Sequence, residues 1–163
     1  MFRVSEVIKI KSSIDEIWAV ISTPGHLNLF HPFCKEHNTL KFKDNTIIKD
    51  ELIYLNGLNY VRNFNKWVPR VGYSLKIGSI NAKQSSVNWE IIKGKSDINY
   101  VKITIKPYLS DRIPKFLYPF YHYIIIRPKL KSYLKSVLMG LNYYMLNKKS
   151  VPKSFFGTHS WFS

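Results

Sequence analysis

The chain has one cysteine, Cys34, so no disulfide can form within it and the fold must rest on packing. No stretch approaches the roughly 18 consecutive apolar residues of a spanning helix. The start, MFRVSEV, does not read as a secretory signal, since no charged segment leads into an apolar run. The expected location is cytoplasmic, with peripheral attachment to a membrane as a variant. No Gly-x-Ser-x-Gly elbow, phosphate loop or dinucleotide fingerprint occurs, so the common signatures of hydrolases and nucleotide-binding enzymes are missing. Repeats and linkers are missing too. One domain is expected over residues 1–163, with a core at about 2–148 and a tail at 149–163. Acidic residues are absent from 112–163, which hold 9 Lys/Arg; residues 1–111 hold 16 Lys/Arg and all 10 acids. The net charge of +15 is therefore concentrated near the end. Such asymmetry suits an anionic partner, or it serves solubility alone.

What is present is a distinct order of elements. Residues 2–11 alternate, as a half-buried strand does. Ser13-Ile14-Asp15-Glu16 is a capping-box pattern, and Ile14, Ile17, Trp18 and Ile21 form a helical apolar stripe behind it. Residues 26–36 suggest a second short helix or loop. A strand is expected at 38–43, with Leu40 and Phe42 inward. Strands at 46–55 and 58–68 flank Asn56-Gly57, which reads as a two-residue hairpin turn. Pro69-Arg70 turns again. Alternating segments around Tyr73–Ile77, Val87–Ile91 and Val101–Ile105 follow. Near the end, Leu130, Leu134, Val137, Leu138, Leu141 and Met145 keep helical spacing behind Arg127-Pro128. Gly140 interrupts that helix, which fits a close backbone approach, room for a ligand or a neutral lapse. A strand meander around one long helix encloses an apolar space, and the class read is α+β.

The layout resembles the START/Bet v 1-like superfamily, also called the SRPBCC or polyketide cyclase/dehydrase-like group. The matching pieces are VSEVIKIKSSIDEIWAVIST with Trp18, HPF at 31–33 in the second helix, and RPKLKSYLKSVLMGL. The hairpin YLNGLNYVRNFNKW followed by GYSLKIG suits the meander. The resemblance implies a helix-grip fold: a curved antiparallel sheet wrapped around a long C-terminal helix, with two short helices after the first strand. It also implies binding of a hydrophobic or amphipathic, lipid-like molecule. Some members are cyclases, dehydrases or hydrolases, so an enzyme using the same cavity is the alternative.

The cavity wall expected from the alternation comprises Phe42, Ile53, Tyr60, Phe64, Tyr73, Leu75, Trp89 and Ile103 from strands. Leu134, Val137, Leu138 and Leu141 are expected from the helix. A two-residue turn at Asn56-Gly57 would pair Glu51 with Arg62 inside the cup; a bulge in either turn would put them outside. His31, Cys34 and His37 are spaced three apart, but no second cluster supplies a fourth ligand, so neither metal nor cofactor is expected. Cys34 with His31 or His37 is the only local nucleophile–base candidate. Residues 107–128 are apolar and tyrosine-rich. Arg112, Lys115, Phe116, Tyr118, Tyr121, Arg127, Lys129 and Lys131 form the candidate contact with an anionic membrane; the other reading is a lid packed on the cup. Nucleic acid is a third candidate partner, without an RNA-binding signature to support it. The tail at 149–163 is too aromatic for a free end and is expected to dock on the body or a second subunit. The oligomeric state is open.

Overall fold

The computed structural model describes residues 2–163. Strand β1 (Val4–Lys11) leads into helix α1 (Ile14–Ser22) and the one-turn helix α2 (Leu27–Phe30). Six strands follow: β2 (Cys34–Lys43), β3 (Thr46–Tyr54), β4 (Asn59–Val68), β5 (Gly72–Gly78), β6 (Ser85–Ile92) and β7 (Ile98–Lys106). A short helix α3 (Tyr118–Tyr121) and a π-helical turn at His122–Ile126 run into the long helix α4 (Arg127–Asn147). The seven strands form one antiparallel sheet, ordered β1-β7-β6-β5-β4-β3-β2. The sheet curves around α4, so the architecture is α+β, as the element order implied, and of the helix-grip kind that the resemblance implied.

Local chemistry explains each start and stop. The capping box on α1 is complete: the Glu16 amide donates to Ser13 Oγ at 3.2 Å, and the Ser13 amide donates to Glu16 Oε2 at 3.0 Å. Ile17 and Ile21 face the core. Helix α4 buries Leu130, Leu134, Val137, Leu138, Leu141 and Met145, the residues whose spacing marked it. It ends at Lys148, which takes a left-handed conformation with φ of +53°. Gly140 is a close approach: a Cβ there would lie 2.0 Å from the carbonyl oxygen of Phe30 on α2.

The hairpin after β3 departs from the two-residue turn. Tyr54 and Leu58 close a three-residue loop, Leu55-Asn56-Gly57, with the Tyr54 amide donating to Leu58 O at 2.9 Å. Gly57 takes the left-handed position (φ +84°), as a type I turn followed by a bulge requires. The extra residue shifts the register by one: Asp50 faces Arg62, and Glu51 faces Val61. The shift exchanges the faces of β3. Asp50, Leu52 and Tyr54 point inward, and Ile53 turns to the outer face with Glu51. The next loop, Pro69-Arg70-Val71, is also one residue longer than expected. A bulge between Phe64 and Lys66 takes that residue back, so Phe64 still faces Leu75 and Arg62 still faces Ile77.

Two further expectations fail at β2. It begins at Cys34, and His31-Pro32-Phe33 follow α2 rather than lying within it. Leu40 and Phe42 are exposed, at 50% and 47%. Register shifts at Thr39/Lys41 and Lys41/Phe42 re-aim the end of this edge strand away from the cup.

Candidate ligand cavity and its buried polar end

A cavity of about 960 Å³ lies between the sheet and α4. That volume is at the upper end of the range that holds drug-sized ligands. Of the residues expected on its wall, Tyr60, Arg62, Leu75, Trp89, Ile103, Leu134 and Val137 line it. Tyr73, Leu138 and Leu141 are buried in the surrounding core instead. Phe42, Glu51, Ile53 and Phe64 do not reach it. Phe42 and Ile53 are turned away by the bulges and the register shift; Phe64 packs on Trp67 and Tyr73. The inner end is closed by Leu27 and His31. Exposed residues Lys83, Tyr108, Asp111 and Arg112 form the rim, where the Lys83–Asp111 ion pair spans 2.5 Å.

The tail covers another part of the cavity. Ser160, Trp161 and Phe162 line it, and the Phe162 ring stacks on Tyr54 with centroids 4.3 Å apart. Asn56 Nδ2 donates to Trp161 O at 2.9 Å. His159 Nε2 donates to Lys129 O at 3.0 Å. The aromatic tail therefore docks on the body of its own chain.

The register shift builds a polar cluster that spacing alone did not reveal. Arg62 forks onto Asp50: Nε donates to Oδ1 and Nη2 donates to Oδ2, both at 2.7 Å. Both side chains are buried, and the planar fork is the geometry in which guanidinium pairs are strong. Glu51, the expected partner, accepts instead from Asn38 and Asn59 on the outer face. His37 completes the cluster. The Leu27 amide donates to its Nδ1 at 3.1 Å, so the ring proton sits on Nε2, which donates to Asp50 Oδ2 at 2.9 Å. His37 Nε2 also lies 3.0 Å from Arg62 Nη2, but both nitrogens carry hydrogen, so that contact is not a hydrogen bond. Burial works against charge on Asp50, yet the Arg62 guanidinium and the bonds from Arg62 and His37 outweigh it. The carboxyl is held well below its usual range. Burial also lowers the pKa of His37, and the Leu27 amide bonded to its Nδ1 leaves that nitrogen unprotonated.

A second chain of polar groups runs along the wall. The Phe33 amide donates to His31 Nδ1 at 3.2 Å, so His31 Nε2 donates to the Tyr133 hydroxyl at 2.8 Å. Tyr133 and Tyr54 hydroxyls are 3.1 Å apart. Burial lowers His31 to about 3, fixing it neutral, and raises both tyrosines above their ordinary values. These assignments also settle Cys34. Its thiol is buried and raised to about 11, it leans on Asn28 Oδ1 at 3.6 Å, and both neighbouring histidines are engaged elsewhere. No group of three or more His, Cys, Asp or Glu able to hold a metal occurs among the described residues.

The segment before α4 stands beside the rim. Phe116, Phe120, Tyr123 and Ile124 are 76%, 68%, 58% and 71% exposed. Arg112, Lys115 and Arg127 are exposed near them in the chain, and the Arg127 guanidinium lies over the Tyr123 ring at 5.7 Å. Tyr118 is different: it is buried against Phe2 and donates to Tyr108 O at 3.3 Å. It anchors the segment and does not face outward. Tyr121 is half-buried and lines the cavity. Lys129 holds Ser160 and covers Trp161, and Lys131 reaches Glu6 at 3.4 Å. No helix among the described residues is long and apolar enough to cross a membrane.

No family model matches this chain, and no curated protein matches it. Solved structures do match in fold. A protein from Thermus thermophilus superposes with a TM-score of 0.71 at 11% identity, over 91% of this chain and 100% of that one. A START superfamily protein from Mycobacterium smegmatis matches with a TM-score of 0.59 at 12% identity, over 84% and 97%. DynU16, from the dynemicin biosynthetic locus, matches with a TM-score of 0.66 at 12% identity, over 91% of this chain and 48% of its own. The shared property is the START-like helix-grip fold.

Proposed function

We propose that this protein binds an apolar or amphipathic, lipid-like molecule in the cavity and exchanges it with an anionic membrane surface. The observation that carries the reading is the 960 Å³ space itself, apolar along most of its wall and polar at a few buried points. A protein interior normally packs to crystal density, so a space this large is held open by the fold. The rim explains the exchange. Four large apolar side chains of 116–124 stand in solvent there, within residues 112–163, which hold 9 cations and no acid. Rings and aliphatic side chains would enter the headgroup layer while lysine and arginine meet lipid phosphates. The START superfamily neighbour supports a ligand cavity by analogy of fold. Nucleophilic catalysis by Cys34 has less support, because its raised pKa and engaged neighbours leave no activated thiolate.

Vesicle co-sedimentation tests the membrane half. Binding to anionic vesicles is expected at low salt and should fall steeply at high salt, since each cation contributes up to about 1 kcal/mol within a Debye length. Phe120→Ser combined with Ile124→Ser should weaken it roughly tenfold or more by removing apolar insertion. Equal binding to anionic and neutral lipid, or none to either, would contradict the reading.

A further inference from the structure

We infer that the polar wall of the cavity is a subsite for a neutral carbonyl oxygen, so that the ligand is an apolar ketone, ester or amide. This inference rests on the ligand-binding reading above and names the chemistry of the molecule bound. It follows from counting donors and acceptors along that wall.

Every carboxylate oxygen and every unprotonated imidazole nitrogen in the two polar chains already accepts at least one hydrogen bond. Asp50 accepts twice from Arg62 and once from His37. His37 Nδ1 accepts from the Leu27 amide, and His31 Nδ1 accepts from the Phe33 amide. His26 adds none: its Nδ1 donates to Thr23 O at 2.8 Å, and its Nε2 accepts from the Tyr73 hydroxyl at 3.4 Å.

Donors are left over. His31 already gives its proton to Tyr133, so one phenolic proton bridges the gap between Tyr133 and Tyr54. The other phenolic proton of that pair finds no acceptor among the described residues. Arg62 spends Nε and one N–H of Nη2 on Asp50, and no protein group among the described residues accepts from Nη1. Arg62, Tyr54 and Tyr133 are at least nine-tenths buried, and all three line the cavity. Buried donors find a partner in nearly all folded proteins, so a ligand that brings an acceptor would take the place of water on these groups.

Charge decides which acceptor. Asp50 and Arg62 cancel, and His31 and His37 are neutral by their hydrogen bonds. The wall therefore carries donors but no net charge. A carboxylate at this wall, away from Lys83 and Arg112 of the rim, would bury a second anion beside Asp50 with no cation there to balance it. An alcohol would bring a proton that only an already engaged oxygen could accept. A carbonyl oxygen has two lone pairs and no proton, and it can accept from the Tyr54–Tyr133 donor or from the Arg62 edge.

Displacement of a neutral apolar dye, N-phenyl-1-naphthylamine, by 2-tridecanone, 2-tridecanol and tridecanoate provides the test. Dye binding itself reports whether the cavity takes apolar molecules. The ketone is expected to bind roughly tenfold tighter than the alcohol or, at neutral pH, the carboxylate. Its C=O stretch should move to lower frequency on binding than in hexane. Tyr54→Phe combined with Tyr133→Phe removes both phenolic protons; it should erase most of the ketone-over-alcohol preference and of the infrared shift, each affinity ratio being read within one protein so that a change in dye binding cancels. A carboxylate that binds as tightly as the ketone, or a stretch unmoved from its value in hexane, would overturn the subsite. Ketone preference unchanged in the double variant would overturn the role of the tyrosine pair. If the dye does not bind at all, the cavity reading fails, and this inference fails with it.

Discussion

Replacing Arg62 with methionine is expected to destabilise the fold by about 3–5 kcal/mol at neutral pH. The change keeps much of the apolar stem but removes the guanidinium that forks onto Asp50. Asp50 is wholly buried and would retain only the N–H of His37. The cost is that of a stranded buried anion. A second replacement, Asp50→Leu on top of Arg62→Met, should therefore recover much of the loss, because a buried pair as a whole contributes little net stability. Glu51→Gln, the neighbour on the outer face, should change stability by less than about 0.5 kcal/mol.

The pH dependence has a definite sign. In the wild type the folded-state pKa of Asp50 is depressed. Its stabilisation is fully present above the ordinary unfolded value of roughly 3.9 and is lost as pH falls through the lower folded value. In Arg62→Met, burial without the cation raises the folded value above the unfolded one. That variant gains stability as pH falls and Asp50 protonates. The gap between the two proteins should thus be widest at neutral pH and should narrow toward pH 4. Urea denaturation at several pH values measures it. A gap below about 1 kcal/mol at pH 7, or one that widens with acid, would contradict the buried pair.

Gly140→Ala is expected to destabilise by about 3 kcal/mol, the upper part of the overpacking range. On an open helix face the same change would stabilise by ~1 kcal/mol through propensity alone. Here the added Cβ would lie 2.0 Å from the Phe30 carbonyl oxygen and 3.4 Å from Pro32 Cδ. The obstacle is backbone, which cannot swing aside as a flexible side chain can. Helix α4 would have to retreat from α2, and α2 carries Leu27 and leads into His31, which close the inner end of the cavity. Thermal and urea denaturation are the measurements, and a stabilised variant would contradict the close approach.

The fold is legible in the sequence because its signals are local. Alternation marks the strands, Ser13 and Glu16 mark the start of α1, and the spacing from Leu130 to Met145 marks the inner face of α4. The polar site is half legible, and one residue of loop length makes the difference. Asn56-Gly57 fits a two-residue turn and also the last two residues of a three-residue loop, since Gly57 accepts positive φ in both. Asp50 and Glu51 are adjacent acids, so either register turns one carboxylate inward. The apolar residues cannot arbitrate, because Leu52 and Tyr54 compete with Ile53 and Leu55 for the inner face. Arg62 is placed inside by either route because its other neighbour, Ile77, fixes it from β5. His37 is invisible as a partner of Asp50. Its bond crosses from β2 to β3, and its tautomer depends on the amide of Leu27 on α2. The exposure of Phe42 escapes the sequence for the same kind of reason, since the bulges of an edge strand leave no clear mark in it.

Native mass spectrometry of protein purified without detergent tests the ligand-binding claim most directly. The expected spectrum shows the chain carrying one small molecule of a few hundred daltons, about what a 960 Å³ cavity holds. Denaturing conditions should release it, and fragmentation should identify an apolar skeleton. A chain that runs only at its bare mass, and that also takes up no apolar dye when one is added, would contradict the account.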